Sequence, residues 1–408
     1  MVAMTVAKPI EFSPPDITQR EIDEVVGVLK SGWITTGPKT KELEKRLTKY
    51  CSSAGTACLS SATAALECAL RLLEIGEGDE VITSAYTYTA TAAAICHTGA
   101  TPVLVDTLPG SYEINYDRIC FAITEKTKAI IPVDIAGKMC DYNRLFSIAE
   151  GTKSKWNPDK SKKIQASFDR IPIIADASHS LGADYYDQKS GSVADFSAFS
   201  FHAVKNFTTA EGGALTWKSC NVANDTIYAN LMQLSLHGQT KDALAKSNGG
   251  WEYDITFPGY KCNMTDIQAA LGLVQLDRYP SMLARRKEIV NLYESELAKS
   301  GIYVDVFRHY EENRNSSAHL MLVRMPTKNE SARNAIINYM GERGIATNVH
   351  YKPLPMLSAY INLGFDICNY QSAYKQYEHV ISLPLHTLLS DEDVIRVVST
   401  LKDAYASC

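Results

Sequence analysis

Hydrophobic and polar positions follow two rhythms along this chain. Residues 80–83, 102–106, 129–133 and 172–175 are short apolar runs bounded by turn signals, which is the pattern of buried strands. Between them, residues 90–97 and 144–149 carry helical spacing. Such alternation predicts a mostly parallel central sheet with helices on both faces, because parallel neighbours need a crossover that packs back on the sheet. Upstream, Ile22, Val25, Val26 and Leu29 mark one face of a helix over residues 21–31, and Thr18 with Glu21 has the spacing of a capping box. Leu66, Ala69, Leu70 and Leu73 mark a stronger helix within residues 60–75.

Past Trp217 the pattern turns polar and helical. Asn263 or Thr265 starts a helix whose Ile267, Ala270, Leu271 and Val274 face a core, and a second long helix runs from about residue 279 to 299. Strands near 302–306 and 319–324, a helix near 331–343 and a last helix over 391–404 complete a smaller unit. The fold class expected is therefore α/β, with a large domain over residues 1–270, N-terminal segment included, and a small C-terminal α+β domain over 271–408.

Composition narrows the function. Of 408 residues, 45% are hydrophobic and 21% charged, the balance of a globular protein with a sizeable core. A net charge of -5, from 41 basic and 46 acidic side chains, offers no basic face to nucleic acid. The ten cysteines contain no C-x-x-C pair, so they read as free thiols in a reducing compartment. The first residues lack a charged region followed by an apolar core, and no apolar stretch reaches about eighteen residues. A cytoplasmic protein outside the membrane is expected. No His or Cys pair has metal-ligand spacing, so no metal site is expected.

Candidate chemistry gathers around residues 195–216. Lys205 sits among Val204, Asn206 and Phe207 with no acidic neighbour in the chain. It is either an ordinary loop lysine or an amine whose pKa is drawn down by apolar company, able to form a Schiff base. Asp176 follows a buried strand, a costly place for a carboxylate unless a backbone N–H or a cation such as a protonated pyridine nitrogen meets it. His179 could touch the same ligand or be structural. The helix after Ser60 opens with only Ser, Ala and Thr, leaving N–H groups uncovered for an anion, with Ser60 or Ser61 as a plain N-cap the simpler alternative. Trp33, in the loop 32–38, is a core anchor or a pocket wall. The lysine-rich run 152–171 is expected to be a solvated loop without chemistry.

A candidate Schiff-base lysine, a strand-end aspartate and a phosphate-ready helix start describe a pyridoxal phosphate site. The chain resembles the fold-type-I pyridoxal phosphate enzymes of the DegT/DnrJ/EryC1/StrS family of nucleotide-sugar aminotransferases. The resemblance runs from Ser31-Gly-Trp-Ile-Thr-Thr-Gly-Pro through Ser200-Phe-His-Ala-Val-Lys-Asn-Phe-Thr-Thr-Ala-Glu-Gly-Gly to Ile381-Ser-Leu-Pro-Leu. It implies that Lys205 holds the cofactor covalently and shuttles the proton, and that Asp176 partners the pyridine nitrogen. It also implies a phosphate site of Ala62, Thr63, Ser200 and an Asn263 that reaches in from the other subunit of a homodimer. Tyr88 matches the aromatic that stacks on the ring, and His179 a position near the ring hydroxyl. Thr35, Thr36, His350 and Tyr351 would meet the substrate. Glutamate is the implied donor, and a keto group on a nucleotide-linked sugar the acceptor, in amino-sugar synthesis for polysaccharide or cell envelope. The run Gly259-Tyr-Lys-Cys-Asn-Met-Thr-Asp is similar to enzymes that aminate C4 of UDP-linked 4-keto sugars. The alternatives are a sugar dehydratase of the same fold, which lysine at 205 disfavours, and a non-enzymatic regulator, which would have lost Lys205 or Asp176. Ala210 before Glu-Gly-Gly, where many relatives have Gly, is a small departure; the lysine-rich run is a larger one.

Overall fold

The computed structural model describes residues 8–241 and 252–408. Residues 1–7 of the stretch read for a leader lie outside the described residues. Nine strands belong to the first part of the chain: β1 (Gly55–Leu59), β2 (Glu80–Ser84), β3 (Thr101–Val105), β4 (Thr127–Ile131), β5 (Ile174–Asp176), the two-residue strands β6 (Asp184–Tyr185) and β7 (Gln188–Lys189), β8 (Phe196–Ser200) and β9 (Gly213–Trp217). Seven of them line up as β3-β2-β4-β5-β8-β9-β1. The first five in that order are parallel, β4 and β5 meeting through the bridges Ile130–Ile173 and Val133–Asp176, and β9 is antiparallel to both of its neighbours.

Both faces are apolar because alternate residues of each strand point to opposite sides. Ile82, Ile130, Ile173 and Phe199 join one core with helices α1 (Gln19–Ser31) and α2 (Pro38–Cys51) nearby, α2 supplying Leu43, Leu47 and Cys51. Val81, Ile131, Ile174, Ala198 and Leu215 join a second core with α3 (Ala62–Leu72) and α4 (Thr89–Thr98). The capping box holds: the Thr18 N–H donates to Glu21 Oε2 at 2.9 Å. Helix α2 is one that the loop signals around residues 32–38 conceal, since Pro38 takes the first helical position, where its missing N–H costs nothing.

After α5 (Tyr116–Ala122), α6 (Tyr142–Gly151) and α7 (Asn224–Ser235), the chain enters α8 (Asp266–Ser300). Periodicity suggests two helices here, but the structure has one of 35 residues with Pro280 inside it. Its first half packs Leu273, Leu276 and Tyr279 into the large core and its second half packs Ile289, Tyr293 and Leu297 into the small one. Burial at both ends outweighs the single hydrogen bond that proline removes. The helix thus crosses residue 270 unbroken.

The remaining elements are β10 (Asp305–Val306), β11 (Tyr310–Glu311), β12 (Arg314–Asn315), β13 (Met321–Arg324), α9 (Glu330–Glu342), α10 (Ser358–Asn362), α11 (Gln371–His379), β14 (Val380–Leu383) and α12 (Asp391–Ser407). An antiparallel sheet β10-β13-β14 carries α9 and α12. The N-terminal segment starts on this unit: Ile10 donates to Gly344 O at 2.8 Å and accepts from the Ala346 N–H at 3.0 Å.

The lysine-rich run is docked rather than loose. Gln165 within it is wholly buried and donates to Leu73 O at 2.9 Å, and Lys153 pairs with Glu150 at 2.6 Å and Asp169 at 2.9 Å. None of its residues lines the main cavity.

Gly213 decides how closely β9 approaches α3. A methyl group there would sit 2.4 Å from the Ser61 carbonyl carbon and 2.5 Å from the Ala62 nitrogen, both backbone atoms. Gly213→Ala is therefore expected to destabilise the protein by about 1–3 kcal/mol, as overpacking does. Urea denaturation without added ligand checks this; an unchanged midpoint would mean that the start of α3 moves freely.

Candidate active site

A cavity of about 350 Å³ lies where the carboxyl ends of the parallel strands, the start of α3 and the small unit meet. In open α/β sheets ligands bind beyond these strand ends.

Lys205 lies in the loop between β8 and β9. The loop is rigid for local reasons: Phe201 and Phe207 are buried edge to face with ring centroids 4.7 Å apart, the Thr209 N–H donates to Phe201 O at 2.9 Å, and the Lys205 N–H donates to His202 O at 2.9 Å. The lysine side chain faces the cavity, ringed by protein, and burial draws its pKa down to about 8 while the charge of Asp176 opposes the shift. Among the described residues no carboxylate comes within ion-pair distance of Nζ. The free-base, nucleophilic fraction rises as pH climbs through the pKa. Labelling of Lys205 in the cofactor-free protein by an aldehyde trapped with borohydride should thus level off above about pH 8, whereas an ordinary lysine of pKa about 10.4 keeps gaining. Peptide mapping against pH measures it, and a rise continuing past pH 10 would contradict the assignment.

Asp176 ends β5 and is 5% exposed. Thr91 Oγ1 donates to its Oδ2 at 2.7 Å, while Ser178 donates to Oδ1 from both its hydroxyl, at 2.6 Å, and its N–H, at 3.2 Å. Neutral donors orient the carboxylate without cancelling its charge, so it remains available to a cation in the cavity.

At the start of α3, Ser61 is the N-cap and accepts from the Ala64 N–H at 3.0 Å. Among the described residues nothing accepts from the N–H groups of Ala62 and Thr63. Both residues border the cavity, as does Ser200 at the end of β8. Helix dipole and open N–H groups together make this end a place for an anion.

The far wall is aromatic. Tyr88, 60% exposed, lies 5.9 Å from the Tyr351 ring, centroid to centroid, and the Tyr351 hydroxyl is 3.1 Å from His179 Nε2. His179 Nδ1 is buried with no partner among the described residues. Burial, then Lys205 and His350, hold the His179 imidazole well below its ordinary pKa, so it is neutral. His350 is stacked on Phe12 at 5.5 Å and bonded through Nδ1 to Ser382 Oγ at 2.8 Å; burial and Lys205 push its pKa down to about 4.

Nine of the residues singled out from sequence therefore border one cavity: Lys205, Asp176, Ala62, Thr63, Tyr88, His179, Ser200, His350 and Tyr351. Thr35, Thr36 and Asn263 do not. Asn263 donates to Thr36 Oγ1, which donates in turn to Met264 O, at the entrance to α8, and Thr35 is exposed beside them. Trp33 is half-buried and donates to Thr36 O at 3.2 Å, closing that same loop instead of anchoring the core. Sequence reading missed Thr91, Ser178, His319 and Phe12. Ser178 had a local signal, since a hydroxyl two residues after an aspartate is the spacing of an Asx turn. Thr91 is 85 residues from its partner and had none.

Among the described residues no three His, Cys, Asp or Glu side chains are grouped to hold a metal ion, and no helix is long and apolar enough to cross a membrane.

Known proteins resemble this chain over nearly its whole length. Residues 15–402 match the DegT/DnrJ/EryC1/StrS aminotransferase family. The fold superposes with a TM-score of 0.94 on Spr1654 of Streptococcus pneumoniae, a protein assigned as a sugar aminotransferase and solved in PLP, PMP and apo forms. In its PMP form that protein is 55% identical, over 98% of each chain. Spore coat polysaccharide biosynthesis protein SpsC of Bacillus subtilis is 35% identical over 97% of this chain and 96% of its own. PseC of Helicobacter pylori, an aminotransferase involved in the biosynthesis of pseudaminic acid, superposes with a TM-score of 0.85 at 28% identity, over 98% of this chain and all of its own. With a family match spanning nearly its whole length, an amine, a carboxylate and an anion-ready helix start on one cavity, the chain belongs to the DegT/DnrJ/EryC1/StrS aminotransferase family.

Proposed function

We propose that the protein is a pyridoxal phosphate-dependent aminotransferase that moves an amino group from glutamate to a keto carbon of a nucleotide-linked sugar, with a UDP-linked 4-keto sugar the best candidate. The observation that carries the reading is Lys205 and Asp176 bordering one cavity with the uncovered N–H groups of Ala62 and Thr63. The cofactor fits these residues. Ala62, Thr63 and Ser200 would hold its phosphate, Asp176 its ring-nitrogen proton and Lys205 its aldehyde carbon, with His179 standing beside the ring on the same cavity. Tyr88 would cover the ring.

Pyridoxal phosphate, when bound, supplies an electron sink for the pair left when a Cα proton departs. Thr91 and Ser178 keep the Asp176 carboxylate aimed at that ring. Lys205 Nζ, freed by the incoming amine and unprotonated above about pH 8, would take the Cα proton and return it to the cofactor's former aldehyde carbon. The neutral His179 and His350 line the site without adding cationic charge beside Lys205. Tyr351 and His350 would contact the sugar.

The chain acts as a homodimer in this reading. Asn263, with Thr35 and Thr36 beside it, serves the partner's cavity rather than its own, which accounts for their grouping at the entrance to α8. The similarity to a spore coat polysaccharide protein supports a place in surface-polysaccharide amino-sugar synthesis. All ten cysteines are free, which supports the reducing cytoplasm as its location.

The test is the absorption spectrum of the purified protein supplied with pyridoxal phosphate, before and after glutamate. A visible cofactor band that glutamate removes, and that a nucleotide keto sugar restores, is expected. Failure to bind the cofactor at all would sink the reading; binding without a response to glutamate would reject the donor.

A further inference from the structure

His319 borders the cavity, yet neither its spacing nor its neighbours in the chain mark it. It lies two residues before β13 of the small unit, and its Nδ1 is 2.9 Å from Asn206 Oδ1. Asn206 follows Lys205 directly. The hydrogen-bond directions along this chain of groups are settled by its far end. Ser317 presents a backbone carbonyl, which can only accept, 2.7 Å from the Asn206 amide nitrogen. The amide NH₂ therefore points at Ser317, and Oδ1 points at His319. An oxygen there can only accept, so His319 Nδ1 carries the proton. The ring is 4% exposed, and His179, Lys205, Arg286 and His350 are the titratable groups that face it, all of them bases; among the described residues no carboxylate pairs with it. A buried imidazole in such company stays neutral. Its Nε2 is then bare, and unlike His179 Nδ1 it is not sealed from the cavity. The ring packs 4.3 Å from that of His179, centroid to centroid.

We propose that Asn206 and His319 are positioning residues for the transamination: Asn206 locks His319 as its Nδ1–H tautomer, and the locked ring fixes both His179 and the Lys205 segment while offering the cavity one neutral hydrogen-bond acceptor. This rests on the aminotransferase reading. The lock explains why residue 206 is an amide. An amide donates to Ser317 and accepts from His319 at once; aspartate would lose the donor, and leucine both contacts.

Two measurements test it. In full-length protein with ¹⁵N-labelled histidine and no cofactor, the His319 signal, identified by its loss in His319→Asn, is expected to show a protonated Nδ1 and a bare Nε2 at neutral pH. In Asn206→Leu a protonated Nε2 should appear. The second is conversion of the cofactor band by glutamate, expressed per site loaded with cofactor. Misplacing a group beside the reacting atoms is expected to slow it about tenfold in Asn206→Leu and His319→Asn, with little change in the glutamate concentration for half-maximal rate. A purely structural role would lower the amount of loaded protein and leave the rate per loaded site alone. Wild-type protein with a protonated Nε2, or both variants within twofold of the wild-type rate, would overturn the proposal. If glutamate does not convert the wild-type band, the donor assignment falls instead, and the labelled-histidine spectra still decide the tautomer.

Discussion

Lys205→Ala is expected to lower turnover by roughly 10⁴-fold, the upper end of what one positioned proton carrier supplies. Two functions vanish together: the amine that would hold the cofactor, and the base that would move the proton. No second group takes its place, because the histidines nearby are held too acidic to carry a proton at neutral pH, His350 at about 4 and His179 well below its ordinary value. The loop should survive, since Phe201, Phe207 and the Thr209 N–H bond hold it without the lysine side chain. Borohydride treatment of the variant with bound pyridoxal phosphate should leave no covalent adduct at residue 205, and single-turnover absorbance with glutamate should show almost no conversion. Retention of most of the wild-type rate would remove Lys205 from the mechanism.

Asp176→Asn should cost roughly 10²–10³ in rate, the scale of losing one preorganised electrostatic contact in an enclosed site. The substitution preserves shape and keeps an oxygen for Ser178 or Thr91, so the fold is little disturbed. What it removes is the negative charge that would keep the ring nitrogen protonated. Cofactor binding should weaken far less than the rate falls, because the phosphate contacts at Ala62 and Thr63 are untouched. Equilibrium titration of pyridoxal phosphate alongside single-turnover kinetics separates the two effects. A variant that binds poorly but reacts normally once loaded would make Asp176 an anchor only.

Much of the architecture was readable from local pattern. Strands such as β2 and β4 and helices such as α3 and α4 are short-range events, set by apolar periodicity and by caps within a few residues, and they lie where periodicity predicts. Helices α2 and α8 were not read correctly, since proline signals a break locally while burial elsewhere overrides it. The same limit governs the site. Lys205 stands out because it is a lone cation in an apolar run, and Asp176 because it ends a buried strand.

The chain by itself determined which chemistry-bearing groups exist and which elements present them, because a strand end, a helix start and a loop are properties of neighbouring residues. Only the tertiary structure decided who meets whom. Thr91 on Asp176, Asn206 on His319, and Asn263 with Thr36 apart from the cavity each join residues 85 to 227 positions apart. Hydrogen bonds need atoms within about 3 Å, and side chains so far apart in sequence come that close only when packing of the cores between them has placed their backbones.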